Sequence, residues 1–107
     1  MDNRINQTIK KYIDSVVLLQ PGLVSAFLFG SYALNKQGGD SDIDIALVFD
    51  TLSDKDKFDI QVQLMILASK IDNRIEPHPI SNQDMNSMNP FAMEIKRTGI
   101  VLDIGKS

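Results

Sequence analysis

The chain has 107 residues, a formal net charge of −3 and an apolar content of 43%. This length fits one small domain over residues 1–107, and the apolar content is sufficient for a real core. The acidic balance argues against an extended nucleic-acid surface, which needs an excess of Lys and Arg to displace counterions. The absence of cysteine excludes disulfides, zinc–thiolate sites and cysteine nucleophiles.

The sequence shows no sign of a leader or of a membrane span. Its first residues, MDNRINQTIKK, are polar and amphipathic, whereas a signal peptide needs an apolar stretch. No apolar run approaches the roughly 20 residues of a membrane-spanning helix. We therefore expect a soluble cytoplasmic protein. A chain this small buries a modest share of its surface, so a homo- or hetero-oligomer is compatible with it.

The first half of the chain predicts a helix followed by two strands. The helix has apolar residues at helical spacing: Ile5, Ile9, Tyr12, Ile13, Val16 and Leu19. The run LVSAFLF predicts a buried strand from Leu23 to Phe29, and IDIALVF predicts another from Ile43 to Phe49. Between them, Ser31 is a plausible N-cap for a short helix through Leu34.

The second half predicts two helices and one or two strands. Ser53 or Asp54 starts a long helix, and RIEPHPI predicts a third strand, whose prolines favour an edge position. Asn89-Pro90 begins the last helix, Gly99 ends it, and IVLDI is a candidate final strand. The predicted fold class is α/β, with a small mixed β-sheet flanked by helices.

Two features between the first two strands point to phosphate and metal chemistry. Gly30-Ser31 ends a strand, and exposed N–H groups at a helix start attract phosphate. Asp42 and Asp44 stand two apart at a strand entrance, so both carboxylates project to one side. Such a pair favours oxygen-loving cations such as Mg²⁺. Two metal ions facing a phosphate cradle would suit nucleotidyl transfer.

The same segment resembles the signature of the DNA polymerase beta-like nucleotidyltransferase superfamily, and the short chain resembles its minimal nucleotidyltransferase branch. The matching elements are Phe29-Gly30-Ser31 and Asp42-Ile43-Asp44-Ile45. The resemblance implies the nucleotidyltransferase fold of that superfamily. It also implies two Mg²⁺ ions, and ATP or another NTP as the substrate. It also implies a third carboxylate on a later strand, where Glu76 matches by position although Asp is commoner. Asp103 in IVLDI is the fallback for that role.

Three further residues carry weaker hypotheses. Ser41 could position a phosphate or close its loop, and loop structure is the favoured interpretation. His78 is the only histidine and lies between two prolines, so a structural or exposed role is expected for it. Lys36 is near the motif and could meet phosphate.

The resemblance leaves two principal hypotheses for function. In the first, the chain moves an NMP group, AMP by expectation, from an NTP to a hydroxyl of a HEPN-domain toxin and acts as its antitoxin. The alternative is a non-catalytic or weakly active nucleotide-binding subunit that docks on such a partner. A nucleotidyltransferase for small molecules such as aminoglycosides is less favoured, because those enzymes need a second domain for the acceptor.

Overall fold

A computed structural model describes residues 3–38 and 41–105 of the chain. Its helices and strands, in chain order, are α1 (Asn3–Leu19), β1 (Leu23–Phe29), β2 (Ile43–Phe49), α2 (Asp54–Ser69), β3 (Ile75–Ser81), α3 (Asn82–Met85), α4 (Pro90–Thr98) and β4 (Ile100–Leu102). The predicted α/β class is therefore confirmed. The predicted bounds of β1 and β2 are confirmed to the residue.

The four strands form one mixed sheet in the order β3-β2-β1-β4. β1 pairs antiparallel with both β2 and β4, and β2 pairs parallel with β3. β3 lies at an edge, as its prolines predicted, because Pro77 and Pro79 have no N–H to give to a further strand. The parallel register sets Asp44 opposite Glu76.

Apolar residues cover both faces of this sheet. On one face α1 and α2 pack over alternate residues of β2, namely Ile43, Ile45, Leu47 and Phe49. On the other face α3 and α4 cover Ala46 and Val48. The Tyr12 hydroxyl of α1 donates a hydrogen bond to the carbonyl of Leu64 in α2 at 3.0 Å, and burial raises the pKa of Tyr12. Asp44 thus shares its face with the α3–α4 layer.

The predicted short helix after Gly30 is wrong. Residues 30–35 form a turn, in which the Leu34 N–H donates to the Gly30 carbonyl and the Lys36 N–H donates to the Ser31 carbonyl at 2.8 Å. Gly30 and Asn35 both have a positive φ, which lies outside the right-handed helical region of φ/ψ space. The turn therefore has a non-helical residue at each end. Ser31 therefore caps no helix, and a phosphate there would meet the N–H groups of a turn.

One helix, α3, was not predicted. Its N-cap is Ser81, whose side chain accepts a hydrogen bond from the N–H of Asp84 at 3.0 Å. The sequence carries this signal as Ser-x-x-Asp, but the helix has only four residues and no apolar periodicity. Asn89 caps α4 in the same way through the N–H of Phe91, as predicted.

α2 is apolar on two sides. Leu64 and Ala68 are buried against the sheet, whereas four apolar residues point outward: Phe58, Val62, Met65 and Ile66. These four define the α2 outer face, and Phe58 is 74% exposed. An exposed apolar stripe on a helix is typical of a surface that another protein covers. Among the described residues, no helix has the length and apolar content needed to cross a membrane.

An ion pair fixes the start of β3. Arg74 donates from its backbone N–H and its guanidinium to the Asp72 carboxylate, at 2.8 to 3.1 Å. The same guanidinium reaches the hydroxyl of Tyr32 at 3.3 Å, in the turn after β1. These hydrogen bonds from Arg74 lower the pKa of Asp72. The Asp72–Arg74 pair thus joins the strand that carries Glu76 to the turn that carries Gly30.

We predict that Asp72→Asn lowers the Tm at pH 7 by about 4–6 °C, because a partly buried pair of this kind contributes about 1 kcal/mol. The folded-state pKa of Asp72 lies below its ordinary value of 3.8, so this contribution is complete above that pH. The stabilising contribution of the Asp72–Arg74 pair is lost as the pH falls through the lowered pKa of Asp72.

Thermal melts of both proteins between pH 2 and pH 7 check this prediction. Asp14→Asn is the matched control, since it breaks the exposed Lys10–Asp14 pair of α1 and should shift the Tm much less. A Tm difference that stays constant at all pH values would contradict the assigned role of Asp72.

Candidate active site

The strand register brings the predicted acidic residues together. Asp44 lies opposite Glu76 in the parallel pair, and Asp42 directly precedes β2. The pKa of Glu76 is raised, first by a side-chain hydrogen bond with Asp42, then by burial and by the negative charges of Asp42 and Asp44. Carboxylates this close to one another crowd negative charge. A cation bound there would relieve their repulsion.

The Asp44 carboxylate is held between two neighbours. Its Oδ1 lies 3.2 Å from Nε2 of His78, and its Oδ2 faces Gly30. The His78 ring packs edge-on against Phe29, with ring centroids 5.1 Å apart, and tilted against Phe91 at 5.7 Å. One ligand atom each from Asp44, Glu76 and His78 lies within 4.8 Å of the others. These three side chains thus converge on one point at the sheet edge.

Gly30 is required by the position of Asp44. Phe29 of β1 pairs with Asp44 of β2, so Gly30, the residue after Phe29, lies against the Asp44 carboxylate. A Cβ built on Gly30 would lie 2.5 Å from Asp44 Oδ2, and the φ of Gly30 is +75°. Any side chain here would be strained and would displace the carboxylate. The glycine of the motif therefore keeps the space beside Asp44 open.

The two serines of the predicted site are arranged differently from one another. Ser31 is half-buried in the turn that follows Gly30. Ser41 closes its loop, because its Oγ accepts a hydrogen bond from the Gly38 N–H at 2.8 Å. The loop interpretation of Ser41 fits this contact, and Lys36 is exposed nearby. Nucleotide binding by Ser31 and Ser41 stays a prediction.

The residues present fit a divalent cation. Carboxylate oxygens are the ligands that Mg²⁺ prefers, and the Gly30 backbone leaves room around Asp44. Beside them lies a cleft of about 460 Å³. Six of the residues that line it are Asp42, Glu76, His78, Arg74, Gln61 and Met65. Met65 belongs to the α2 outer face, so the cleft and that face adjoin.

The sequence predicted a structural or exposed role for His78. The structure shows its ring partly exposed and packed against Phe29, with Nε2 beside Asp44 Oδ1. The signal was available, because Glu76 and His78 are two apart on a strand and so share a face. Asp103 is excluded as the third carboxylate by its position. It follows Leu102, which pairs with Ala26, and so lies toward the opposite end of β1 from Asp44.

We predict that Gly30→Ala weakens binding of Mg²⁺ or Mn²⁺ by about tenfold or more, since the new Cβ displaces the Asp44 carboxylate. Calorimetric titration of the metal-free protein measures this. Gly22→Ala is the matched control, because the nearest atom to its Cβ would be 3.9 Å away on Phe49. Unchanged affinity in a folded Gly30→Ala protein would contradict the role given to Gly30.

Solved structures with a similar fold support the architecture. A candidate nucleotidyltransferase from Sulfolobus solfataricus superposes with a TM-score of 0.65 at 22% identity, over 92% of this chain and 78% of its own. A mutant of the toxin–antitoxin pair MntA-HpeT superposes with a TM-score of 0.58 at 24% identity, over 92% of this chain and 71% of its own. A toxin–antitoxin structure with AMP-PNP superposes with a TM-score of 0.60 at 24% identity, over 89% of this chain and 69% of its own.

Family membership rests on the sequence profile. A search of curated proteins gave no significant match. The profile of the family described as "Polymerase beta, Nucleotidyltransferase", however, matches residues 5–103. This range contains the Gly30-Ser31 turn, both aspartates at the start of β2 and Glu76 on β3. With the profile covering nearly the whole chain, this protein belongs to the polymerase beta-type nucleotidyltransferase family.

Proposed function

We propose that this chain transfers AMP from ATP to a hydroxyl group on a partner protein, and that it acts as the antitoxin of a toxin–antitoxin pair. The observation that carries the proposal is the convergence of Asp42, Asp44 and Glu76 beside the Gly30 turn. In a member of a nucleotidyltransferase family, crowded carboxylates next to an open backbone turn suit a metal-bound triphosphate.

The reaction makes one bond and breaks one. The acceptor hydroxyl oxygen attacks the α-phosphorus, the bond from that phosphorus to the bridging oxygen breaks, and pyrophosphate leaves. The hydroxyl proton is released. Negative charge grows on both the attacking and the leaving oxygen, so catalysis depends on positioning and on charge compensation.

Each proposed residue has a part in this scheme. Asp42, Asp44 and Glu76 would hold the divalent cations, which supply charge compensation for the two reacting oxygens when bound. The N–H groups of the turn at Gly30 and Ser31 would face the phosphates. Ser41 would keep the loop between turn and β2 in place through its contact with Gly38. With the three carboxylates as its only protein ligands, the site would suit Mg²⁺, because they provide oxygen ligands.

The similar structures support the adenine nucleotide and the protein partner. Two of them are toxin–antitoxin structures, and one of these contains AMP-PNP, an analogue of ATP. Their fold covers about nine-tenths of this chain. A HEPN-domain toxin as the acceptor remains part of the proposal, on the strength of the sequence resemblance.

The α2 outer face supports a protein acceptor over a small molecule. Phe58, Val62 and Met65 stand at the spacing of one helical stripe, exposed to solvent. Met65 also lines the cleft that holds Asp42 and Glu76. A protein that covers this stripe would therefore present its own side chains at the carboxylates. The same face also suits the alternative function, a docking subunit with little turnover.

We predict that Asp42→Asn and Asp44→Asn each lower AMP transfer to the partner by roughly 10²- to 10⁴-fold, because charge compensation at the reacting oxygens is lost. The assay mixes the chain with the protein encoded beside it, labelled ATP and Mg²⁺, and locates the added AMP by mass spectrometry. Asp103→Asn should leave the rate unchanged, since it lies toward the other end of the sheet.

Absence of label on the partner, together with full protection from toxicity by the Asp42→Asn and Asp44→Asn proteins, would contradict catalysis. The docking function would then stand in its place.

We predict that Phe58→Asp lowers partner binding and AMP transfer by about tenfold or more, because it places a charge in the centre of an apolar contact. Affinity for Mg²⁺–ATP should not change. Val101→Asp is the matched control, since Val101 is 70% exposed on β4, at the other edge of the sheet. Equal effects of both substitutions on partner binding would contradict a specific role for the α2 outer face.

A further inference from the structure

We infer that His78 is a ligand of the metal held by Asp44 and Glu76, and that this nitrogen makes the site favour Mn²⁺ over Mg²⁺. The inference rests on the proposed function, which requires a metal at the carboxylates. It goes further by adding a nitrogen donor to an all-oxygen set.

The first argument is geometric. Two neighbouring ligands in an octahedral shell with bonds of about 2.1 Å stand roughly 3.0 Å apart. Nε2 of His78 and Oδ1 of Asp44 are 3.2 Å apart, close to this separation. One ligand atom each of Asp44, Glu76 and His78 lies within 4.8 Å of the others, so the three side chains can reach one cation.

The second argument concerns the fixed orientation of the imidazole. The ring packs against Phe29 and Phe91, at 5.1 and 5.7 Å between centroids, so these aromatic rings restrict its rotation. Its backbone is paired with β2, opposite Ala46. With the ring and backbone both held, Nε2 points to Asp44 at the convergence point of the carboxylates. A ligand held in place before the metal arrives loses little freedom on binding.

The third argument concerns the donor types. Carboxylate and water oxygens suit Mg²⁺, whereas an imidazole nitrogen suits transition ions. Mn²⁺ accepts oxygen ligands as Mg²⁺ does. As a transition ion it also binds an imidazole nitrogen more readily than the harder Mg²⁺ does. Two carboxylates and one imidazole at one point thus favour Mn²⁺. The competing arrangement is one in which His78 only donates a hydrogen bond to Asp44 and the metal meets oxygen alone.

Selective isotope labelling separates these two arrangements without any mutation. His78 is the only histidine of the chain, so growth on ¹⁵N-histidine labels that side chain alone in an untagged protein. Pulsed electron paramagnetic resonance of bound Mn²⁺, without nucleotide, reports directly coupled nitrogen. We expect a ¹⁴N modulation in the unlabelled protein that becomes a ¹⁵N pattern in the labelled one. The absence of any histidine nitrogen coupling would overturn the inference.

Metal titrations give the second measurement. We expect His78→Gln to weaken Mn²⁺ binding by about tenfold or more and Mg²⁺ binding by less than about threefold. Gln can still donate a hydrogen bond to Asp44, so a mere positioning role predicts little change for either ion. Asp103→Asn serves as the control with a distant carboxylate removed. Equal losses for both ions in a folded His78→Gln protein would also overturn the nitrogen assignment.

The outcomes distinguish this inference from the proposed function. Bound Mn²⁺ that is lost in Asp44→Asn but lacks nitrogen coupling leaves the nucleotidyltransferase site intact and removes only the role of His78. Failure of the wild-type chain to bind either ion, with and without ATP, removes the metal site itself and both proposals with it.

Discussion

The pairing of Phe29 with Asp44 across β1 and β2 is the contact on which the site depends. It places Gly30, the first residue after β1, directly against the Asp44 carboxylate, where no Cβ fits. The parallel pairing of β2 with β3 adds Glu76 on the other side. Three backbone strands thereby fix the position of the carboxylates, and the repulsion among them is a consequence of that framework. The sheet thus holds these charges close together.

Two other contacts keep this framework in register. The Asp72–Arg74 ion pair fixes the residues just before β3 and reaches Tyr32 in the turn after β1. On the opposite face of the sheet, Phe29 and Phe91 pack against His78. Both sets of contacts act at the edge of the sheet where the site lies. The residues that stabilise this edge of the sheet also orient the polar side chains of the site. Stability and site geometry are therefore linked.

The arrangement of surfaces fits an enzyme that works on another macromolecule. Asp42 and Glu76 line the cleft together with Met65, which also belongs to the α2 outer face. In the proposed function, a partner protein covers the α2 outer face and provides the hydroxyl that receives the nucleotide.

The sequence by itself determined the strands, the fold class and the motif of Gly30 with Asp42 and Asp44. These features depend on local patterns: alternation in IDIALVF, an apolar run in LVSAFLF, and a glycine at a sharp turn. It also placed α4 correctly, because the capping residues Asn89 and Gly99 are local signals. The short helix after Gly30 was a wrong prediction, since Ser31 looks like a cap but its turn is closed by longer-range hydrogen bonds.

The tertiary structure decided which residues meet. Glu76 was proposed from family pattern alone, and the parallel register of β2 with β3 sets it opposite Asp44. The spacing of Glu76 and His78 puts both on one strand face, but only the register of β3 on β2 brings His78 against Asp44, which is 34 residues away in sequence. Asp103 had a similar local context to Glu76, yet the pairing of β4 with β1 places it toward the other end of the sheet. Strand order and register depend on packing of the whole chain, and these alone bring distant side chains to one point.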